Sequence, residues 1–203
     1  MISFLELLIH TFFPSKFSRS FLHSIPCAPE PQDKNIFALY DYHSQKGKKL
    51  IYYIKQKRDI FLSKYLAEEM YNHIQEYLSE QQLFSYYINP IIISVPLSKK
   101  QHKKRGFNQT KMIAKYFAKN IHGTYSSAVI KIKETKKQAL IKNRKERFKN
   151  VQGCFKVKNI HTIQGEDIII IDDLVTTGAT LKELESTLYK NGARNVISVT
   201  IAH

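Results

Sequence analysis

Asp172 and Asp173 are adjacent carboxylates set between four consecutive isoleucines, Ile168 to Ile171, and the small-residue stretch Leu174-Val175-Thr176-Thr177-Gly178-Ala179-Thr180. Ionised carboxylates accept hydrogen bonds from sugar hydroxyls or hold Mg²⁺ through its water shell. Thr176, Thr177, Gly178, Ala179 and Thr180 offer successive backbone N–H groups and hydroxyls to one phosphate, and the glycine lets the backbone come close with φ > 0. A helix opening after this turn adds the positive end of its dipole. A plain strand-to-helix turn needs one polar cap; two unpaired carboxylates followed by Thr-Thr-Gly-Ala-Thr exceed that need.

Such a cluster needs a buried strand before it and a helix after it. The run 167–171 has the continuous apolar pattern of a strand buried on both faces, and 180–190 has the spacing of a helix closed by Gly192. Strands are also predicted over 35–42, 90–95, 127–132 and 195–201, and helices over 58–80 and 108–120, where Met112, Ile113, Tyr116 and Phe117 share a face. Residues 45–49 read as a turn, 15–34 as irregular chain and 134–150 as a solvated basic loop. Strands alternating with helices predict an α/β fold with a mostly parallel, doubly wound sheet flanked by helices. In such sheets ligands bind at the carboxyl ends of the strands, which is where Asp172 and Asp173 fall.

Charge narrows the ligand further. Between Lys99 and Lys149 stand 17 Lys/Arg against only Glu134 and Glu146, so this quarter of the 203-residue chain carries all of its +15 net charge. A block of that kind attracts a polyanion, whether pyrophosphate or nucleic acid. Phe107, Tyr116, Tyr125 and Phe148 interleave aromatic rings with it, and rings can stack bases.

The two cysteines, Cys27 and Cys154, are too few for a disulfide framework or a four-thiolate zinc site, which fits a reducing compartment. Residues 1–13 are apolar but lack a basic leading region and a small-residue cleavage pattern, so no export signal is read. No uncharged apolar run approaches the roughly 20 residues of a membrane span. A cytoplasmic protein without membrane insertion is expected.

The stretch from Ile168 to Thr180 resembles the 5-phosphoribosyl-1-pyrophosphate (PRPP) motif of type I phosphoribosyltransferases. The resemblance extends to the ComF/GntX competence family through YDYHSQKGKKLIYYIKQKR near Tyr40, VPLSKKQHKKRGFNQT from Val95, KETKKQALIKNRKERFKNVQGCF from Lys133, and KNGARNVISVTIAH at the end. It covers about residues 35–203, leaving 1–34 as an N-terminal segment in place of the family's zinc module. The resemblance implies that Asp172 and Asp173 contact the ribose hydroxyls and Mg²⁺, and that Thr176, Thr177, Gly178, Ala179 and Thr180 hold the 5′-phosphate. It puts Val95, Pro96, Leu97 and Ser98 at the pyrophosphate loop, with Arg105, Gly106, Phe107, Asn108 and Gln109 beside it. It makes the basic segment carrying Lys133, Lys136, Lys137, Lys142, Arg144, Lys145 and Arg147 the flexible loop that closes over PRPP.

Two departures qualify what the resemblance implies. The paired CxxC zinc motifs of relatives are absent, and Cys27 with His10 and His23 falls short of four ligands, so no zinc is expected. Where purine phosphoribosyltransferases carry an aspartate base two residues before the loop glycine, this chain has Thr176, and a hydroxyl is a poor proton acceptor near neutral pH. The expected function is therefore a PRPP-binding, Mg²⁺-dependent protein supporting natural transformation and DNA uptake. It would bind single-stranded DNA through the basic segment, with a competence helicase or recombination mediator as protein partner. The alternative is an active phosphoribosyltransferase acting on an acceptor in nucleotide or amine metabolism.

Overall fold

The computed structural model of the chain describes residues 17–29, 33–80, 87–136, 141 and 143–203. Its centre is the isoleucine strand. This strand, β6 (Asp167–Leu174), lies between β2 (Ile91–Ser94) and β7 (Asn195–Ala202). With β1 (Ile36–Tyr40) and β3 (Thr124–Ser126) they form a five-stranded sheet in the order β1-β7-β6-β2-β3, every neighbouring pair parallel. Two short strands, β4 (Val129–Lys131) and β5 (Phe155–Val157), make a separate antiparallel ribbon.

Side chains alternate along a strand, so β6 feeds two cores. Ile169 and Ile171 join Leu50, Ile51 and Ile54 of helix α2 (Gln45–Ile54), Leu66 and Met70 of α3 (Ile60–Glu80), and Ile113 and Phe117 of α5 (Gln109–Asn120). Ile168 and Ile170 join Leu181, Leu184 and Leu188 of α7 (Ala179–Lys190), Val151 of α6 (Arg144–Val151) and Phe155 of the ribbon. All four isoleucines are fully buried, each such side chain contributing roughly 1.5–3 kcal/mol of apolar burial. Helices on both faces of a parallel sheet are the architecture expected from the alternating pattern.

Several elements differ from the sequence reading. Residues 45–49 open helix α2, where the Ser44 side chain accepts from Gly47 N–H and the apolar residues return at helical spacing. The basic loop ends in α6: Asn143 accepts from Lys145 N–H as its N-cap, Val151 is buried and Phe148 packs against the second core. That single apolar edge is enough to hold a helix onto α7 despite the charge around it. The strand predicted at 127–132 leaves the main sheet and pairs only with β5. Helix α4 (Lys99–Arg105), with no buried residue, has no apolar periodicity to announce it.

Residues 17–29 lie against the main core. Phe17, Leu22 of the short helix α1 (Arg19–His23) and Ile25 pack with Phe37 and Tyr40, and Cys27 bridges to Tyr40. His10 and the rest of 1–16 lie outside the described residues. Among the described residues, no helix is long and apolar enough to cross a membrane.

Candidate functional site

Strand β6 runs three residues beyond the buried isoleucines, so Asp172, Asp173 and Leu174 close it at the carboxyl edge of the sheet. The backbone then turns through Thr176 and Thr177 and reaches Gly178, which stands as the N-cap of α7 with φ +72°. A Cβ added at Gly178 would meet Ile36 Cδ1 at an ordinary contact distance of 3.4 Å. The glycine is therefore required by its left-handed conformation rather than by crowding. It offers no side-chain cap, so the first N–H groups of this 12-residue helix have no partner within the helix. That is the local chemistry of an anion site.

A cavity of about 950 Å³ opens over this edge. Asp172, Thr176, Thr177, Gly178, Ala179 and Thr180 line it, with Arg105 and Arg147 from two basic segments. Arg147 of α6 donates from Nη1 to Thr176 Oγ1 at 3.4 Å and from Nε to the Ile141 carbonyl at 2.7 Å. The basic segment thus touches the phosphate-loop candidate directly. Its base is closed by a reciprocal amide pair: Lys136 N–H donates to Asn150 Oδ1 and Asn150 Nδ2 to the Lys136 carbonyl, both at 3.0 Å.

The two carboxylates have different surroundings. Burial, and after it the charge of Asp173, pushes Asp172 up to about 7, against the opposing pull of the Asp173 N–H, Lys55 and Lys131. Asp173 pairs instead with Lys55, whose Nζ lies 3.2 Å from Oδ1. Among the described residues no group of three or more His, Cys, Asp or Glu gathers. A cation here would rest on this carboxylate pair and complete its shell with water and phosphate, which is the way Mg²⁺ is usually held.

Other predicted residues are placed differently. Val95 N–H donates to the Ile171 carbonyl, and Asn108 caps α5 while its Nδ2 donates to the Val95 carbonyl. Ser98 is buried as the N-cap of α4 and donates to Glu134 Oε2 at 2.6 Å, while Lys100 N–H donates to Oε1 at 3.1 Å. These two contacts hold the Glu134 carboxyl below its ordinary range. Pro96 and Leu97 line a second cavity, away from the carboxylates. Gln109 is buried and donates to Ser63 Oγ and the Asp59 carbonyl, so it fastens α5 to α3 rather than facing the site. Gly106 ends α4 with φ +74°, and Phe107 follows it, half-buried. Lys133 Nζ donates to the Gln152 carbonyl, Arg144 and Lys145 are exposed, and Lys137 and Lys142 lie outside the described residues.

Sequence reasoning missed the part of the cavity wall formed by Tyr42, Tyr52, Lys55 and Gln56 around α2, with Gln101 and Lys104 of α4. The quoted segment near Tyr40 contains four of them, but a turn assignment at 45–49 hid the helix that aims them. The interleaved aromatics are also less available than their positions suggest: Tyr116, Tyr125 and Phe148 pack against the cores.

No protein-family model matches the chain. DNA utilization protein YhgH of Escherichia coli O157:H7 is 35% identical over 106 residues, covering 52% of this chain and 45% of that protein. YhgH of Salmonella typhimurium is 28% identical over 178 residues, 85% of this chain and 75% of that one. Competence protein ComFC of Bacillus subtilis is 34% identical over 112 residues, 55% of this chain and 43% of that one. The chain thus aligns with about half the length of the first of these relatives. Among solved structures, a hypoxanthine phosphoribosyltransferase from Staphylococcus aureus aligns with a TM-score of 0.37 and 17% identity over 72% of this chain and 67% of that one.

Proposed function

We propose that this chain, a ComF-like protein of the phosphoribosyltransferase superfamily, binds PRPP with Mg²⁺ and supports DNA uptake by handling single-stranded DNA along its basic segment. One observation carries the PRPP reading: Asp172, near the carboxyl end of β6, and the Gly178 turn into α7 line one cavity of about 950 Å³ that also receives Arg105 and Arg147. In this reading Asp172 and Asp173 accept from the ribose hydroxyls. The free N–H groups of α7 and the hydroxyls of Thr176, Thr177 and Thr180 take the 5′-phosphate, and Lys104, Arg105 and Arg147 neutralise the pyrophosphate. Bound Mg²⁺ would supply charge neutralisation between the sugar and the pyrophosphate oxygens.

Binding is the better-supported half of the chemistry. Thr176, exposed at the loop, brings a hydroxyl where an acidic base would be needed to activate a purine. The names of the YhgH and ComFC relatives are the ground for the DNA-handling role, and the basic block is its physical counterpart.

Calorimetry tests the PRPP reading. Mg²⁺-dependent PRPP binding by the wild type, abolished in the Asp172→Asn/Asp173→Asn double variant, is expected; equal binding by the double variant would refute it. Gel shifts with single-stranded DNA test the second reading, with salt-sensitive binding expected from the wild-type chain.

A further inference from the structure

Helix α4 carries the sequence Lys99-Lys100-Gln101-His102-Lys103-Lys104-Arg105, and it separates the two cavities. At 100° per residue, Gln101, Lys104 and Arg105 share one face and line the sugar-phosphate cavity, while Lys99, His102 and Lys103 share another. That second face forms one wall of a groove of about 580 Å³, completed by Pro96, Leu97, Ile130, Lys131 and Lys158.

The groove's charge is unbalanced. No carboxylate lines it. Glu134, the acid nearby in sequence, has its carboxylate tied to Ser98 Oγ and Lys100 N–H. Lys131 is oriented by its bond to Thr135 Oγ1 at 2.8 Å, whereas the side chains of Lys99, His102, Lys103 and Lys158 are exposed and have no partner among the described residues. The unpaired ammonium groups of Lys99, Lys103 and Lys158 repel one another around the groove, and an anion between them relieves that repulsion. The floor of Pro96, Leu97 and Ile130 is apolar, suited to the face of a sugar or base rather than to a fully hydrated ion.

We infer that this groove, between α4 and the β4–β5 ribbon, is a second phosphate-binding site that takes consecutive phosphodiesters of single-stranded nucleic acid. The inference rests on the DNA-handling reading above and moves the main contacts from the 133–147 segment to the groove. A concave groove admits the phosphates and sugars of one strand, whereas a duplex spreads its phosphates over a broad outer face. Because α4 has one face in each cavity, the strand lies next to the sugar-phosphate site with only the helix between them.

The test uses fluorescence anisotropy of the full chain with a labelled oligothymidylate of about 20 nucleotides, over a series of salt concentrations. The Lys99→Gln/Lys103→Gln/Lys158→Gln variant is compared with Lys48→Gln/Lys57→Gln/Lys190→Gln, which loses the same charge at exposed positions outside the groove. The groove variant is expected to lose roughly tenfold or more in affinity at about 0.1 M salt, and its log–log salt slope to fall by about 2, at about 0.7 per lost phosphate contact. The control keeps both close to wild type. Equal loss in the two variants overturns the groove assignment, as does a duplex of the same length bound as tightly and with the same dependence on these lysines. Failure of the wild type to bind the oligonucleotide at all defeats the DNA-handling reading instead. The single Lys158→Glu variant, at an exposed position after the ribbon, repeats the test with one substitution and a melting curve to confirm folding.

Discussion

Lys55 Nζ stands 3.2 Å from Asp173 Oδ1, so the residue that ends helix α2 reaches across to a carboxylate one residue before the end of strand β6. The ammonium occupies ground that a divalent cation bound at the carboxylate pair would need. A cation at Asp173 must therefore compete with Lys55 or displace it.

Removing that competitor has a measurable consequence. Lys55→Gln is expected to tighten Mg²⁺ binding in the absence of sugar phosphate by roughly fivefold, the scale of one charge at this distance in a well-solvated setting. The pair is partly exposed, so its loss costs less than about 1 kcal/mol of stability. Calorimetric Mg²⁺ titration checks it; unchanged or weaker binding would show that the ammonium does not compete.

Asp172 makes a pH prediction. Its folded-state value is raised to about 7 from an ordinary 3.8, so the folded chain holds this proton more tightly than the unfolded one. The contribution of this group to stability is greatest below the unfolded value and is lost as pH rises through about 7. Asp172→Asn keeps the shape without the charge. The variant is expected to melt higher than wild type at pH 8, by about 2 kcal/mol or roughly 4–8 °C for a chain of this size, and the gap to close by pH 4. Equal melting temperatures at pH 8 would show that Asp172 is not buried as a strained charge.

Arg147 joins the basic segment to the proposed phosphate loop through Thr176, and the Asn150–Lys136 amide pair holds the base of that segment. Arg147→Ala is expected to weaken PRPP binding at least tenfold through loss of a charge-assisted contact. Asn150→Ala is expected to weaken it less, because it loosens the support and leaves the cation in place. Calorimetry on both variants checks the order, and a reversed order would make Arg147 a support and Asn150 the main determinant.

The strand and helix around the site were legible because their signals are strong. Four isoleucines in a row demand burial on both faces, and the apolar spacing after Ala179 fits no element but a helix. What sequence reading lost was held by tertiary contacts. Helix α4 has no apolar face, so periodicity could not find it, yet it divides the two cavities. Helix α6 is anchored by Phe148 and Val151 within a run of cations. The pairing of Lys55 with Asp173 depends on the parallel crossover that brings α2 to the end of β6, and no local pattern encodes that meeting.

Gly178 gives the sharpest test of the phosphate turn. Its φ of +72° is a conformation that an L side chain adopts only with strain, although an added Cβ would meet nothing closer than Ile36 Cδ1 at an ordinary contact distance of 3.4 Å. Gly178→Ala therefore separates conformation from crowding. The variant is expected to fold with a stability loss of about 1 kcal/mol. If the backbone relaxes toward negative φ, the first N–H groups of α7 swing away from the cavity, and binding of ribose 5-phosphate is expected to fall tenfold or more while the salt dependence of oligonucleotide binding stays as in wild type. Calorimetry with ribose 5-phosphate alone, without Mg²⁺, isolates this turn from the carboxylate pair. Undiminished binding would move the phosphate away from the start of α7 and toward the Arg105 and Arg147 side of the cavity.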